Sequence, residues 1–207
     1  GNNISSVLPS ELVYLADPEL EDIFWLKYVN KGLLQYERKE RIKEGQGPFV
    51  ACLDMSGSMS GQTEIMALGV FTALAQMALK LHRKVAFIPF ASRTGKTIQV
   101  ASSEELINLL TTSRWNVGDD TVFETPMTLA ANFIEKEKQY KNADILFITD
   151  GYGSLGRDFV TGYIQRKKKL GFRLVGINIR GEWSDDCLPV FDATTSASDE
   201  GSLSSLN

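Results

Sequence analysis

Two short, mostly apolar segments, each followed by an aspartate, restrict most strongly what this 207-residue chain can fold into. The first covers residues 49–53 and precedes Asp54, and the second covers residues 144–149 and precedes Asp150. Continuous apolar segments of this length are typical of strands buried on both faces, as in parallel sheets. Because ligands bind beyond the carboxyl ends of such strands, the two aspartates are candidate site residues.

Segments of strand and helix character alternate along the rest of the chain. Further strands are predicted at 84–90, 97–101 and 172–179, and helices at 63–81, 104–110, 125–140 and 159–169. This alternation indicates an α/β fold with a mostly parallel sheet that has helices on both faces. The segment 10–44 reads as helical and charged, and residues 194–207 read as a flexible polar tail.

Composition and charge argue against several functional classes. The net charge is -4, and the longest basic run, 166–169, reads as the exposed face of a helix, so no nucleic acid partner is expected. The apolar stretch 65–79 is short for a membrane span and is predicted to be a buried helix. The chain has two cysteines and no visible secretory signal, which favours a reducing, cytoplasmic setting.

A carboxylate and two hydroxyl groups follow the first strand at a spacing of two residues: Asp54, Ser56 and Ser58. In an extended turn this spacing directs all three oxygen atoms towards one point. Oxygen ligands without His or Cys select a hard cation, Mg²⁺ first and Mn²⁺ or Ca²⁺ next. Neutral hydroxyls leave the cation with surplus positive charge, which would attract a carboxylate from outside the chain.

The stretch Asp54-Met55-Ser56-Gly57-Ser58 resembles the D-x-S-x-S signature of the metal ion-dependent adhesion site in von Willebrand factor A domains. The stretch 118–126 resembles the second loop of that family and places Thr121 at its threonine, and the stretch 148–151 resembles the third loop. The resemblance implies a doubly wound, Rossmann-like α/β domain over residues 48–193. It also implies that Ser56, Ser58 and Thr121 ligate the metal directly, and that Asp54 and Asp150 bind it largely through water.

A narrower resemblance is to the cytoplasmic prokaryotic proteins of the ViaA and CoxE type, carried by residues 33–37, 47–50 and 123–126 together with the first-loop motif. Those proteins work beside MoxR-type AAA+ ATPases and carry a helical region ahead of this domain. The resemblance implies that residues 1–47 are the end of such a region. It implies a metal-dependent adaptor rather than an enzyme, and a protein partner that donates Asp or Glu to the metal.

The second loop departs from the family pattern, because Asp119-Asp120-Thr121-Val122 stands where Gly-Gly-Thr-Asp is frequent. Asp119 and Asp120 bring additional negative charge close to the predicted site. That charge could strengthen cation binding or repel an acidic partner. The aromatic residues Trp115 and Phe123 are predicted either to line the rim of the site or to pack within their own loops.

Two alternatives remain open beside the adaptor hypothesis. An extracellular adhesion module is disfavoured by the missing signal and by the cysteine usage. A metal-dependent hydrolase could use Glu124 as a base, whereas a serine nucleophile would have only His82 as its partner. A phosphate-binding loop at 95–97 lacks the required early glycine, since Phe90 stands there, and a hairpin turn is predicted instead. An Asp54 nucleophile lacks a second aspartate, because position 56 is serine.

Overall fold

The computed structural model describes Glu11, Tyr14 and residues 20–33, 47–112 and 117–196. The chain divides into two compact units, residues 1–42 and 43–207. The first unit contains helix α1 (Glu21–Val29), which begins with acidic residues and has a lysine in its last turn, as the helix dipole favours. Phe24 is buried in this helix, and Lys27 forms an ion pair of 2.9 Å with Glu11.

The second unit is built on one six-stranded sheet. Its strands are β1 (Phe49–Asp54), β2 (Val85–Phe90), β3 (Ile98–Val100), β4 (Asp144–Thr149), β5 (Arg173–Asn178) and β6 (Ala193–Ser196). The strand order is β3-β2-β1-β4-β5-β6, and every neighbouring pair is parallel except β2 with β3. The predicted α/β class with a mostly parallel sheet is therefore confirmed.

Helices cover both faces of this sheet, as predicted. They are α2 (Gln62–Lys80), α3 (Ser103–Thr112), α4 (Glu124–Lys136) and α5 (Arg157–Leu170). Alternate residues of each central strand point into two separate hydrophobic cores, so that Ala51 packs with α2 and α3 while Val50 packs with α4 and α5. Burial on both faces explains why the strand sequences are continuously apolar rather than alternating.

Helix α2, predicted as a buried helix, packs into the core along one face and exposes the other. Ala67, Phe71 and Ala75 recur every four residues and contact the sheet, whereas Ile65 and Met77 are exposed. Among the described residues, α2 is the one helix whose length and composition would allow it to cross a membrane. The core helix of a globular domain satisfies the same criteria, and the inner face of α2 packs in this way.

Two predictions about the C-terminal third are corrected by the contacts of single residues. The basic run 166–169 is not wholly exposed, because Lys167 is buried and its ammonium group lies 2.9 Å from Asp192 and 2.7 Å from the carbonyl of Val190. Residues 194–196 of the predicted polar tail belong to β6 and pair with β5, so the prediction is wrong for these three residues. The remainder of the predicted tail, 197–207, lies outside the described residues.

Candidate metal site at the carboxyl edge of the sheet

The two candidate aspartates meet at the point where the direction of chain winding reverses. From β1 the chain passes through α2 to β2 on one side, and from β4 it passes through α5 to β5 on the other side. The loops after β1 and β4 therefore diverge to opposite faces and leave a crevice between them, which is the usual ligand position in doubly wound sheets. Asp54 is the last residue of β1, and Asp150 directly follows β4.

The first loop, residues 55–61, folds back over the end of β1. The backbone N–H of Ser56 donates to Oδ1 of Asp54 at 2.9 Å, and the hydroxyl oxygens of Ser56 and Ser58 lie 3.1 Å apart. A 3-10 turn over Gly57–Met59 follows, and the side chain of Met59 is buried beneath it. The three residues of the D-x-S-x-S motif therefore lie next to one another, and the convergence of their side-chain oxygens on one cation stays a prediction.

Thr149 links the first loop to the third loop, residues 150–156. Its hydroxyl donates to Oδ2 of Asp54 at 2.6 Å and accepts from the N–H of Gly151 at 3.2 Å, and the side chain is completely buried. The sequence analysis assigned no role to Thr149, although it lies in the third-loop motif. Its position as the last residue of a buried strand, directly before an aspartate, was the available signal.

Asp150 is buried in a tightly constrained part of the third loop. Its Oδ1 accepts from the N–H of Tyr152 at 3.3 Å. Gly151 has a φ of 87°, and a Cβ atom there would lie 2.3 Å from Nδ2 of Asn178 and 2.7 Å from the carbonyl oxygen of Glu182. Only glycine fits this position without displacing its neighbours, so the glycine fixes the path of the chain next to Asp150.

The second loop, residues 117–123, is held against the first by its backbone. The N–H of Gly57 donates to the carbonyl oxygen of Asp119 at 3.0 Å, and the N–H of Val122 donates to the carbonyl oxygen of Ala91 at 3.1 Å. Thr121, the fifth predicted ligand, is half-buried between these two anchoring points. Asp119 therefore acts through its backbone, and its side chain is exposed.

The site has a deficit of positive charge. Asp54 and Asp150 are 0% and 1% exposed, and none of the ion pairs found between described residues involves either of them. Burial raises the pKa of the Asp54 carboxyl, the hydrogen bonds from Thr149 and Ser56 lower it, and the charge of Asp150 raises it further. Buried carboxylates are rare unless they are paired or coordinate a metal.

The side chains present fit a hard divalent cation. Within the described part of the chain, no three His, Cys, Asp or Glu side chains form a potential metal cluster. Two carboxylates would therefore need the hydroxyls of Ser56, Ser58 and Thr121 to complete a ligand set. Such a set consists only of oxygen atoms, which is the chemistry that Mg²⁺ and Ca²⁺ require. The ligand assignment itself stays a prediction.

The residues of the alternative hypotheses lie elsewhere or are engaged. His82 is in the turn between α2 and β2, at the amino edge of the sheet, opposite to Asp54. Residues 95–97 connect the antiparallel strands β2 and β3, as the predicted hairpin turn requires. Phe123 is 1% exposed and packs against Phe90 and Phe147, so it belongs to the core rather than to an exposed rim. Trp115 lies outside the described residues.

The fold and this arrangement of loops define a doubly wound α/β domain with a candidate cation site at its topological switch point. The sequence model of the von Willebrand factor type A domain matches residues 49–152. The chain belongs to that family, and this confirms the family resemblance seen in the sequence. The match includes the first and second loops and the start of the third loop, and so contains all five candidate ligands.

The chain also resembles curated proteins and solved structures. An uncharacterized protein of Methanocaldococcus jannaschii is 29% identical, over 93% of this chain and 46% of that protein. Regulatory protein ViaA of Photorhabdus laumondii is 30% identical, over 72% of this chain and 34% of that protein. The chain thus spans less than half the length of these curated relatives. Among solved structures, the VWA domain of SpRpn10 superposes with a TM-score of 0.57 at 12% identity, covering 72% of this chain and 87% of that one.

Proposed function

We propose that this domain binds a divalent cation and uses it to hold an acidic side chain of a partner protein. The cation is Mg²⁺ first, with Mn²⁺ or Ca²⁺ as alternatives, and its ligands are Asp54, Ser56, Ser58, Thr121 and Asp150. The observation that carries the proposal is the pair of buried carboxylates, which have no cationic partner among the described ion pairs. A divalent cation supplies the positive charge that such a pair needs.

The chemistry of the ligand set accounts for the choice of partner. Ser56, Ser58 and Thr121 contribute neutral oxygen atoms, and Asp54 is already engaged by the hydroxyl of Thr149 and the backbone of Ser56. Asp54 and Asp150 are expected to bind largely through water, so the direct ligands of the cation are neutral and part of its positive charge remains available to an anionic ligand. An Asp or Glu side chain from another protein provides both the charge and the oxygen ligand.

The wider role that we propose is that of a regulatory or adaptor subunit acting in the cytoplasm beside a MoxR-type AAA+ ATPase. Support comes from membership of the von Willebrand factor type A family and from the similarity to a protein named regulatory protein ViaA. A binding role rather than catalysis agrees with the position of His82, which is at the edge of the sheet opposite to Asp54.

Metal binding is tested by thermal unfolding and calorimetry with MgCl₂ or EDTA. At a Mg²⁺ concentration about 100-fold above the dissociation constant, binding to the folded state alone adds about 2.7 kcal/mol of stability. For a chain of this size that gain raises the melting temperature by roughly 5–11 °C. Ser58→Ala should lose most of this shift, whereas Ser154→Ala, an exposed serine of the third loop, should keep it. Equal melting temperatures of the wild type in Mg²⁺ and EDTA would contradict the proposal.

The partner is tested with the purified MoxR-type ATPase from the same organism. The immobilised full chain should retain this ATPase in Mg²⁺ and release it in EDTA, and the Ser58→Ala variant should fail to retain it. Retention that is identical in Mg²⁺, in EDTA and with the variant would show that the metal does not mediate the contact. No retention under any condition would remove the ATPase from the proposal and leave the metal site to the preceding test.

A further inference from the structure

A cleft of about 490 Å³ opens beside the candidate metal site, between the second and third loops. Thr121, one of the predicted ligands, forms part of its wall. Glu124, at the start of α4, and Tyr152, in the third loop, also line it. A side chain adjacent to a metal-bound carboxylate would therefore enter this cleft. Its volume lies within the range of about 300–1,000 Å³ that is usual for ligand sites.

Among the residues that the structure describes, Glu124 is the only charged one that lines the cleft. Its Oε1 accepts a hydrogen bond of 3.2 Å from the backbone N–H of Gly156, directly before the first turn of α5. This bond fixes the carboxylate in one orientation without neutralising it. The exposed carboxylates of Asp119 and Asp120, in the adjoining loop, add to the negative potential on this side of the site.

Aromatic groups form the floor and one rim of the cleft. The ring of Phe123 lies directly under Gly153, where a Cβ atom would approach it to 2.4 Å. This ring is buried in the core, so the floor is rigid. At the rim, Tyr152 lines the cleft and is 67% exposed. An aromatic face beside a carboxylate is a favourable environment for a cationic side chain.

We propose that this cleft binds a Lys or Arg side chain next to the metal-bound Asp or Glu of the partner, so that the domain recognises an acidic–basic pair. The inference rests on the proposed function, because the partner's carboxylate at the metal determines which neighbouring side chain reaches the cleft. An acidic neighbour in the partner would be repelled by Glu124. An apolar neighbour would desolvate that carboxylate without compensation.

The test is selection from a phage-displayed library of random peptides on the immobilised full chain in MgCl₂, with elution by EDTA. The wild type should enrich peptides with Lys or Arg within two positions of an Asp or Glu. Glu124→Gln should enrich the acidic residue without the basic one, because its amide oxygen still accepts from Gly156. Glu104→Gln, an exposed acid at the start of α3, is the matched control and should select like the wild type.

A synthetic peptide from the wild-type selection then gives the magnitude by fluorescence polarisation. Glu124→Gln should weaken binding by roughly three- to tenfold, the range of a partly exposed charge pair with good geometry. Enriched peptides that have the acid but no basic neighbour, or a basic preference that persists in Glu124→Gln, would overturn the inference and leave the metal proposal intact. A complete lack of EDTA-eluted peptides would overturn the proposed function itself, and this inference with it.

Discussion

Replacing Thr149 by valine would test whether one buried hydroxyl positions the candidate metal ligands. That hydroxyl donates to Oδ2 of Asp54 at 2.6 Å and accepts from the N–H of Gly151 at 3.2 Å. It thereby joins the first and third loops at the base of the site. Valine keeps the β-branched shape that suits a strand, so the packing of β4 should change little. Asp54 would lose the contact that fixes the orientation of its second carboxylate oxygen.

Two independent magnitudes lead to similar expectations. A hydrogen bond to a charged group contributes about 1.5–3 kcal/mol. Substitution of a group that orients a metal ligand typically weakens metal affinity by about 10- to 100-fold, which corresponds to about 1.4–2.7 kcal/mol. We therefore expect Thr149→Val to bind Mg²⁺ about 10- to 100-fold more weakly than the wild type. Isothermal titration calorimetry with MgCl₂ measures the change, and urea unfolding in EDTA confirms that the variant is folded.

Thr149→Ser keeps the hydroxyl and removes only the methyl group, so it distinguishes the effect of the hydrogen bond from that of packing. The serine keeps the donor to Asp54 and loses only packing, so its Mg²⁺ affinity should stay within about threefold of the wild type while its stability falls by about 1 kcal/mol. If the valine variant is folded and binds Mg²⁺ as tightly as the wild type, the positioning role is refuted. A serine variant that loses as much affinity as the valine variant would assign the effect to packing instead.

Two further predictions concern the scaffold of the site. Burial raises the pKa of Tyr140 to about 12, so the folded state keeps this proton longer than the unfolded state, and stability should fall as the pH rises above about 10. Tyr140→Phe removes the hydrogen bond to the carbonyl of Val85, which should lower the free energy of unfolding by about 1 kcal/mol at pH 8. Because phenylalanine does not titrate, the variant's free energy of unfolding should fall less steeply above pH 10, by on the order of 1 kcal/mol per pH unit in urea unfolding. An unchanged slope would contradict this. Gly151→Ala should destabilise the fold by about 1–3 kcal/mol and weaken Mg²⁺ binding, because its Cβ atom would meet Asn178. Gly69→Ala is the control: this glycine lies in α2 with open space around it, so alanine should stabilise the fold by about 1 kcal/mol.

The central strands were predictable because burial on both faces leaves a clear pattern in the sequence. The prediction for residues 144–149 coincides with β4, and 84–90 differs from β2 by one residue. Strand β6 was missed because Ala193–Ser196 consists of alanine, threonine and serine, and two of its four side chains are exposed. Its place in the sheet depends on backbone pairing with β5, which leaves no apolar pattern in the sequence.

Parts of the candidate site were predictable because side-chain chemistry and spacing sufficed. The approach of Ser56 and Ser58 followed from their spacing in a turn after a buried strand. The contact between Gly57 and the carbonyl of Asp119 could not be predicted, since two backbone groups carry no residue-type signal. Glu124 was weighed as a base, but its bond to Gly156 depends on two elements that are 32 residues apart.

The loops of the site are coupled, and this coupling has a thermodynamic consequence. Thr149 joins the first loop to the third, and Glu124 joins the third to the start of α4. Hydrogen bonds from Thr149 and Ser56 offset only part of the cost of burying Asp54, because the pKa of its carboxyl remains raised. A bound cation would remove the remaining cost, so its binding free energy would also be folding free energy for all three loops.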